Sequence, residues 1–188
     1  MGIDNRVYRT CTYIAGDWTG DQDLIGKLHE WNESDNLGLS FTDVHDLTQS
    51  RDASKPCSIK QSLRKRLNVS KTFVLIAGKD TVNLTKGSCR YCDCYVHPLF
   101  GTPYCKNGGS IDYRSYIDYE CEMALKDFKA GLIKKIVVIY NGCLGTMSSR
   151  CPSILRNVEG VTYLGSDRIG ADGKRYWNYT AIKNAICG

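Results

Sequence analysis

Short apolar runs alternate along this chain with stretches in which apolar residues recur three and four positions apart, the pattern of parallel strands joined by crossover helices. Residues 7–15 predict a first strand that ends in the loop Gly16-Asp17-Trp18-Thr19-Gly20, after which Leu24, Ile25, Leu28 and Trp31 follow at helical spacing. A second strand is expected over 37–44, a polar connection over 47–57, and a helix over 59–67 with Ser58 as its cap. Residues 72–77 are apolar except at the first position, as in a strand buried on both faces. Residues 136–140 and 161–164 predict the fourth and fifth strands. Pro152 opens a short helix through Leu155, Asp172-Gly173 marks a hairpin-like excursion, and 179–186 closes the chain as a helix.

This order predicts an α/β fold: a flavodoxin-like, doubly wound, five-stranded parallel sheet in a single domain over residues 1–188. Residues 78–113 interrupt the alternation. They are rich in Gly, Cys and Tyr, hold no long periodic segment, and read as a Cys-rich insertion before the next helix.

That helix is the most informative element. In the run Arg114-Ser-Tyr-Ile-Asp-Tyr-Glu-Cys-Glu-Met-Ala-Leu-Lys-Asp-Phe128, the residues Ile117, Cys121, Ala124, Leu125 and Phe128 form one apolar stripe. Ser115 is the expected N-cap, with Asp118 completing a capping box, and Gly131 stands at the C-terminal stop. Glu120 falls on the shoulder of the stripe and is expected half in the core and half in a bordering cleft. Tyr116, one turn earlier on the same face, would turn an aromatic ring toward the same space. Glu122 reads as a surface charge, and His29 and Trp31 as structural.

Ligands of doubly wound sheets bind beyond the carboxyl ends of the strands, which directs attention to the loops at 15–20, 43–56 and 78–115. Neither Gly16-Asp-Trp-Thr-Gly20 nor Gly78-Lys-Asp carries the glycine pattern of a dinucleotide-binding Rossmann unit or a P-loop. Asp43, His45 and Asp46 cluster after the second strand, either as a turn or as polar contacts to substrate.

With 188 residues and 42% hydrophobic composition, the chain can build a sizeable core. The net charge of +5 has one local concentration, Lys60, Arg64, Lys65 and Arg66. Opposite Ile59, Leu63 and Leu67, that run reads as a solvated helix face and not as a nucleic-acid stripe. The N-terminal residues lack the pattern of a signal peptide, Arg6 stands where myristoylation needs Ser or Thr, and no apolar window is long enough for a membrane span. A cytoplasmic protein is expected.

Ten cysteines are many for a reducing compartment, and buried thiols with one metal site are expected ahead of a disulfide framework. Cys11, Cys121 and Cys187 lie in apolar periodic segments and read as core. Cys89, Cys92, Cys94 and Cys105, with His97 nearby, are candidate ligands of a structural zinc; a loop of free thiols is the other reading of the same residues.

The strand order, the polar connection after the second strand, and the aromatic-x-x-x-Glu pair opening the helix before the fourth strand resemble the TIR domain, in particular its bacterial branch. Ser115-Tyr116-Ile117-Asp118-Tyr119-Glu120 is similar to the TIR pattern Ser-x-Trp-Cys-x-x-Glu shortened by one residue, with Tyr116 in place of Trp and Ile117 in place of Cys. The chain is most similar to the TIR subunits of Thoeris anti-phage systems, and the resemblance covers most of its length outside the insertion. It implies cleavage of NAD as substrate, with no further cofactor, to release nicotinamide and form an ADP-ribose signal, cyclic or linear, for a partner effector. It implies that Glu120 is the catalytic carboxylate, that Tyr116 packs against the nicotinamide side, and that Gly16, Asp17 and Trp18 border the pocket, with Asp46 of the cluster after the second strand as a further candidate substrate contact. It also implies self-association through the 47–56 loop. A catalytically silent scaffold acting through TIR-TIR contacts and a flavodoxin-like module for nucleotides or flavin are the competing readings.

Overall fold

The computed structural model of the protein describes residues 11–34, 39, 55–106 and 110–188. The chain opens with β1 (Cys11–Ala15), α1 (Gln22–Glu33), α2 (Pro56–Leu67) and β2 (Ser70–Ala77). Two short strands follow, β3 (Tyr95–Val96) and β4 (Tyr104–Cys105), and then α3 (Tyr116–Lys129) and β5 (Lys135–Tyr140). The chain ends with β6 (Thr162–Gly165), the hairpin β7 (Asp167–Ile169) and β8 (Arg175–Trp177), and α4 (Tyr179–Cys187). Strands β1, β2, β5 and β6 form one parallel sheet in the order β1-β2-β5-β6. Its register runs Tyr13 opposite Phe73 and Phe73 opposite Ile136. The strand expected over 37–44 lies outside the described residues, apart from Leu39. Leu39 is buried, and its amide donates to the Trp31 carbonyl at 3.3 Å.

Alternation along the strands divides the core into two layers. Tyr13, Phe73, Leu75, Ile136 and Val138 face α2 and α3, while Ile14, Val74, Ile76, Val137 and Ile139 face α1 and α4. Helices therefore cover both faces of the sheet, which is why β2 and β5 carry unbroken apolar runs. Trp31 fills the α1 side, edge-on to Tyr179 with ring centroids 5.1 Å apart. The hairpin anticipated at Asp172-Gly173 forms, with Gly173 at φ +75°.

Several local expectations require correction. Helix α2 begins at Pro56 and not after Ser58, because proline's missing N–H and fixed φ suit the first helical position. The basic run on that helix is not a solvated face: Lys60 and Arg66 are buried. The Lys60 ammonium donates to the backbone oxygens of Arg114 at 2.7 Å and Asp112 at 3.3 Å, and Arg64 donates to Asp127 at 3.0 Å. These cations bind α2 to α3 and to the strap before it. Cys121 is core as expected, whereas Cys187 is exposed at the last turn of α4.

Candidate functional site

Helix α3 is built at its start as its residues imply. The Ser115 hydroxyl accepts the Asp118 amide at 3.1 Å, which caps the helix, and donates to the Asp118 carboxylate at 2.8 Å in place of the reciprocal backbone bond of a capping box. At the far end Gly131 adopts φ +71° just past the cap residue Ala130. Glu122 is turned outward and pairs with Arg114 at 2.8 Å.

Glu120 lies deeper than its position beside the apolar stripe implies. Only 6% of its surface is exposed, and its Oε1 accepts a hydrogen bond from the hydroxyl of Tyr13 on β1. Burial pushes its carboxyl up to about 7, against the smaller opposing effects of the Tyr13 hydrogen bond and the Arg66 cation. The expectation of a carboxylate half in a cleft is thus corrected to one held inside the layer between the sheet, α2 and α3. The physical reason is Tyr13: a buried phenol on β1 needs an acceptor, and Glu120 is the acceptor within reach. Tyr13 escaped the sequence reading, although a tyrosine at an inward position of a core strand is itself a signal that a polar partner lies across the layer.

Tyr116, the first residue of α3, is half-buried beneath the backbone of Gly87. Gly87, at φ +101°, lies so close over it that a Cβ there would stand 2.4 Å from the ring. Gly16 is packed against β2, where a Cβ would approach the Ile76 side chain to 3.2 Å. Asp17 organises its own loop by accepting the Thr19 amide at 3.1 Å, and Trp18 is partly exposed with its ring 6.4 Å from that of His29. Asp43, His45, Asp46 and the 47–54 part of the connecting loop lie outside the described residues.

At the carboxyl ends of the strands stands a second buried carboxyl that the sequence reading passed over. Asp21 is 2% exposed, and its Oδ1 accepts from the Asn141 amide at 3.0 Å; the same amide donates to Asp23 at 2.9 Å. Burial raises the Asp21 carboxyl above its ordinary value, the Asn141 hydrogen bond opposing it. Gly78, at the end of β2, leaves the room that this carboxyl occupies: a Cβ there would sit 2.0 Å from Asp21 Oδ1.

The thiols of the segment between β2 and α3 converge. Cys89, Cys92, Cys94 and Cys105 line one cavity, and Cys57 from the first turn of α2 joins them. His97 is not among the lining residues.

A parallel sheet wrapped by helices on both faces defines an α/β domain, with a buried acidic side chain in the helix that precedes β5. The family model of the Thoeris protein ThsB, TIR-like domain, matches residues 11–86, from β1 through β2 and into the segment beyond it. Glu120 and the rest of α3 lie past the matched stretch. No curated protein matches the chain. Among the described residues no helix is long and apolar enough to cross a membrane.

Proposed function

We propose that this protein cleaves NAD at the bond between nicotinamide and ribose and that Glu120 is its catalytic carboxylate. The observation that carries the reading is a fully buried carboxyl in α3 whose proton affinity is raised to about 7. A buried acid of this kind is costly to a fold, and strongly perturbed carboxyls concentrate at functional sites. The TIR-like match over the first part of the chain supports the same reading.

The chemistry suits a single acidic group. Nicotinamide in NAD is a cationic leaving group and departs as a neutral base, so no protein acid is required. As the glycosidic bond breaks, the bonding electrons leave with nicotinamide and positive charge develops on the ribose. An ionised Glu120 stabilises that charge more than it stabilises the ground state, within surroundings of low dielectric. The approaching cation favours the ionised form in turn. Tyr116, one turn before Glu120 on α3, is the proposed neighbour of the nicotinamide ring once Gly87 moves off it, with Gly16, Asp17, Trp18 and Asp46 as further proposed contacts. Capture of the ribosyl cation by the adenine of the same molecule gives a cyclic product, and capture by water gives ADP-ribose. The product serves as the signal to a partner effector, and self-association runs through the 47–56 loop. The setting for all of this is the cytoplasm.

Nicotinamide release, followed in infected cells and with purified protein, tests the reading. Glu120→Gln is expected to lower turnover by roughly two to three orders of magnitude. A variant as fast as wild type would remove Glu120 from the chemistry. The second reading, a silent scaffold that docks other TIR surfaces, is favoured by the occupation of Glu120 by the Tyr13 hydroxyl. It predicts no nicotinamide release under any condition together with concentration-dependent self-association.

A further inference from the structure

The five thiols gathered between α2 and the segment after β2 take no part in the proposed cleavage, yet three separate stretches of chain deliver them to one place. The geometry points to a thiolate site for a single zinc ion, with Cys57, Cys89 and Cys92 as ligands and Cys94 or Cys105 completing it. The cavity they line measures about 10 Å³, which is about the space of one water molecule and far too small for an organic ligand. Five soft sulfur donors around a space of that size match the preference of zinc for a closed tetrahedral site.

The backbone supports the arrangement. The Cys92 amide donates to the Cys89 carbonyl at 3.1 Å, closing the tight turn that sets the two sulfurs of the Cys-x-x-Cys pair on one side. Asp112 clips this knuckle in both directions: its amide donates to the Cys89 sulfur at 3.3 Å, and its carbonyl accepts the Cys89 amide at 3.0 Å. Asp112 is tied in turn to α2 through Lys60, 3.3 Å from its carboxylate. Cys57 lies three residues before Lys60 and so on the same face of α2, in a first turn that carries no acidic side chain and no side-chain cap. Among the described residues no three such side chains are already grouped tightly enough to hold a metal ion, and a zinc ion would have to draw the sulfurs inward.

The segment has reason to need such a staple. Between Gly78 and Tyr113 the described residues place only Cys89 and Cys94 among the buried apolar side chains, while Leu99 and Phe100 are almost fully exposed. With so little core, a metal supplies what apolar burial does not. Each ligating thiol releases its proton to water as its sulfur–zinc bond forms, and nothing is oxidised. The site adjoins Tyr116, the first residue of α3. Zinc would therefore also fix the start of α3.

Protein purified under reductant after expression with added zinc is expected to retain one zinc per chain. Cobalt added to the reduced, metal-free protein is expected to give the sulfur-to-cobalt charge-transfer absorption of a tetrahedral thiolate site. Cys57→Ser and Cys92→Ser should each weaken cobalt binding by more than about a hundredfold, while Cys11→Ser, away from the cavity, should leave it unchanged. Circular dichroism of each variant confirms that the sheet and helices persist. Three results overturn the proposal: no metal retained and no cobalt absorption by the reduced wild type, pairing of these thiols as disulfides in protein kept under reductant, or a cobalt spectrum and affinity unaltered in Cys57→Ser.

Discussion

Replacing Glu120 by glutamine tests the energetic premise of the site without any substrate. The Glu120 carboxyl is raised from 4.5 to about 7 by burial, so the folded chain holds its proton more tightly than the unfolded chain does. Stability from this group is complete below the unfolded value of 4.5 and is lost as pH rises through about 7. At about 1.4 kcal/mol per unit, the full loss is about 3 kcal/mol, of which about 2.5 kcal/mol falls between about pH 5 and about pH 8. Glutamine accepts the Tyr13 hydrogen bond but does not ionise. Wild type should therefore lose about 2.5 kcal/mol relative to Glu120→Gln over that interval, or about 5–10 °C in melting temperature for a chain of this size. Thermal melts of both proteins at the two pH values supply the measurement. Comparing the two changes cancels the fit of the amide itself and the titration of every other group. Equal melting-temperature differences at both pH values would refute the reasoning, because they would mean that Glu120 keeps one charge state throughout.

Three further outcomes are expected. Nicotinamide release at low NAD concentration should rise with pH through about 7 as Glu120 ionises, and Tyr13→Phe should move that rise to higher pH by removing a hydrogen bond to the ionised form; pH profiles of kcat/KM decide it. Gly78→Ala should destabilise the fold by roughly 1–3 kcal/mol, since its Cβ would meet Asp21 Oδ1 at 2.0 Å, as urea unfolding will read. Lys60→Met should cost about 1–3 kcal/mol, because the Arg114 and Asp112 carbonyls lose their buried donor; an unchanged denaturation midpoint would show that the Lys60 clamp contributes nothing.

Much of the layout was legible in the chain. Residues 72–77 and 136–140 announce strands buried on both faces, and their alternation with helical patterns points to a parallel sheet with helices on each side. Ser115, Asp118 and Gly131 mark both ends of α3, because capping is a local matter of one side chain and its nearest amides. The convergence of Cys89, Cys92, Cys94 and Cys105 was visible in part, since three of the four lie within six residues. Cys57 was not, because it joins them only when α2 packs beside the segment.

What the sequence alone determined were the features set by neighbours along the chain: periodicity, caps, turns and the apolar stripe that places Glu120 on the inward half of its helix. Tertiary structure decided how deep that carboxyl lies, that Tyr13 from β1 meets it, that Lys60 and Arg66 turn inward, and that Gly87 covers Tyr116. Each of these depends on a partner from a distant segment, and a group's burial, hydrogen bonding and proton affinity are set by what surrounds it in space. Helical spacing fixes the direction in which a side chain leaves its helix, but only the packing of sheet and helices fixes what it meets there.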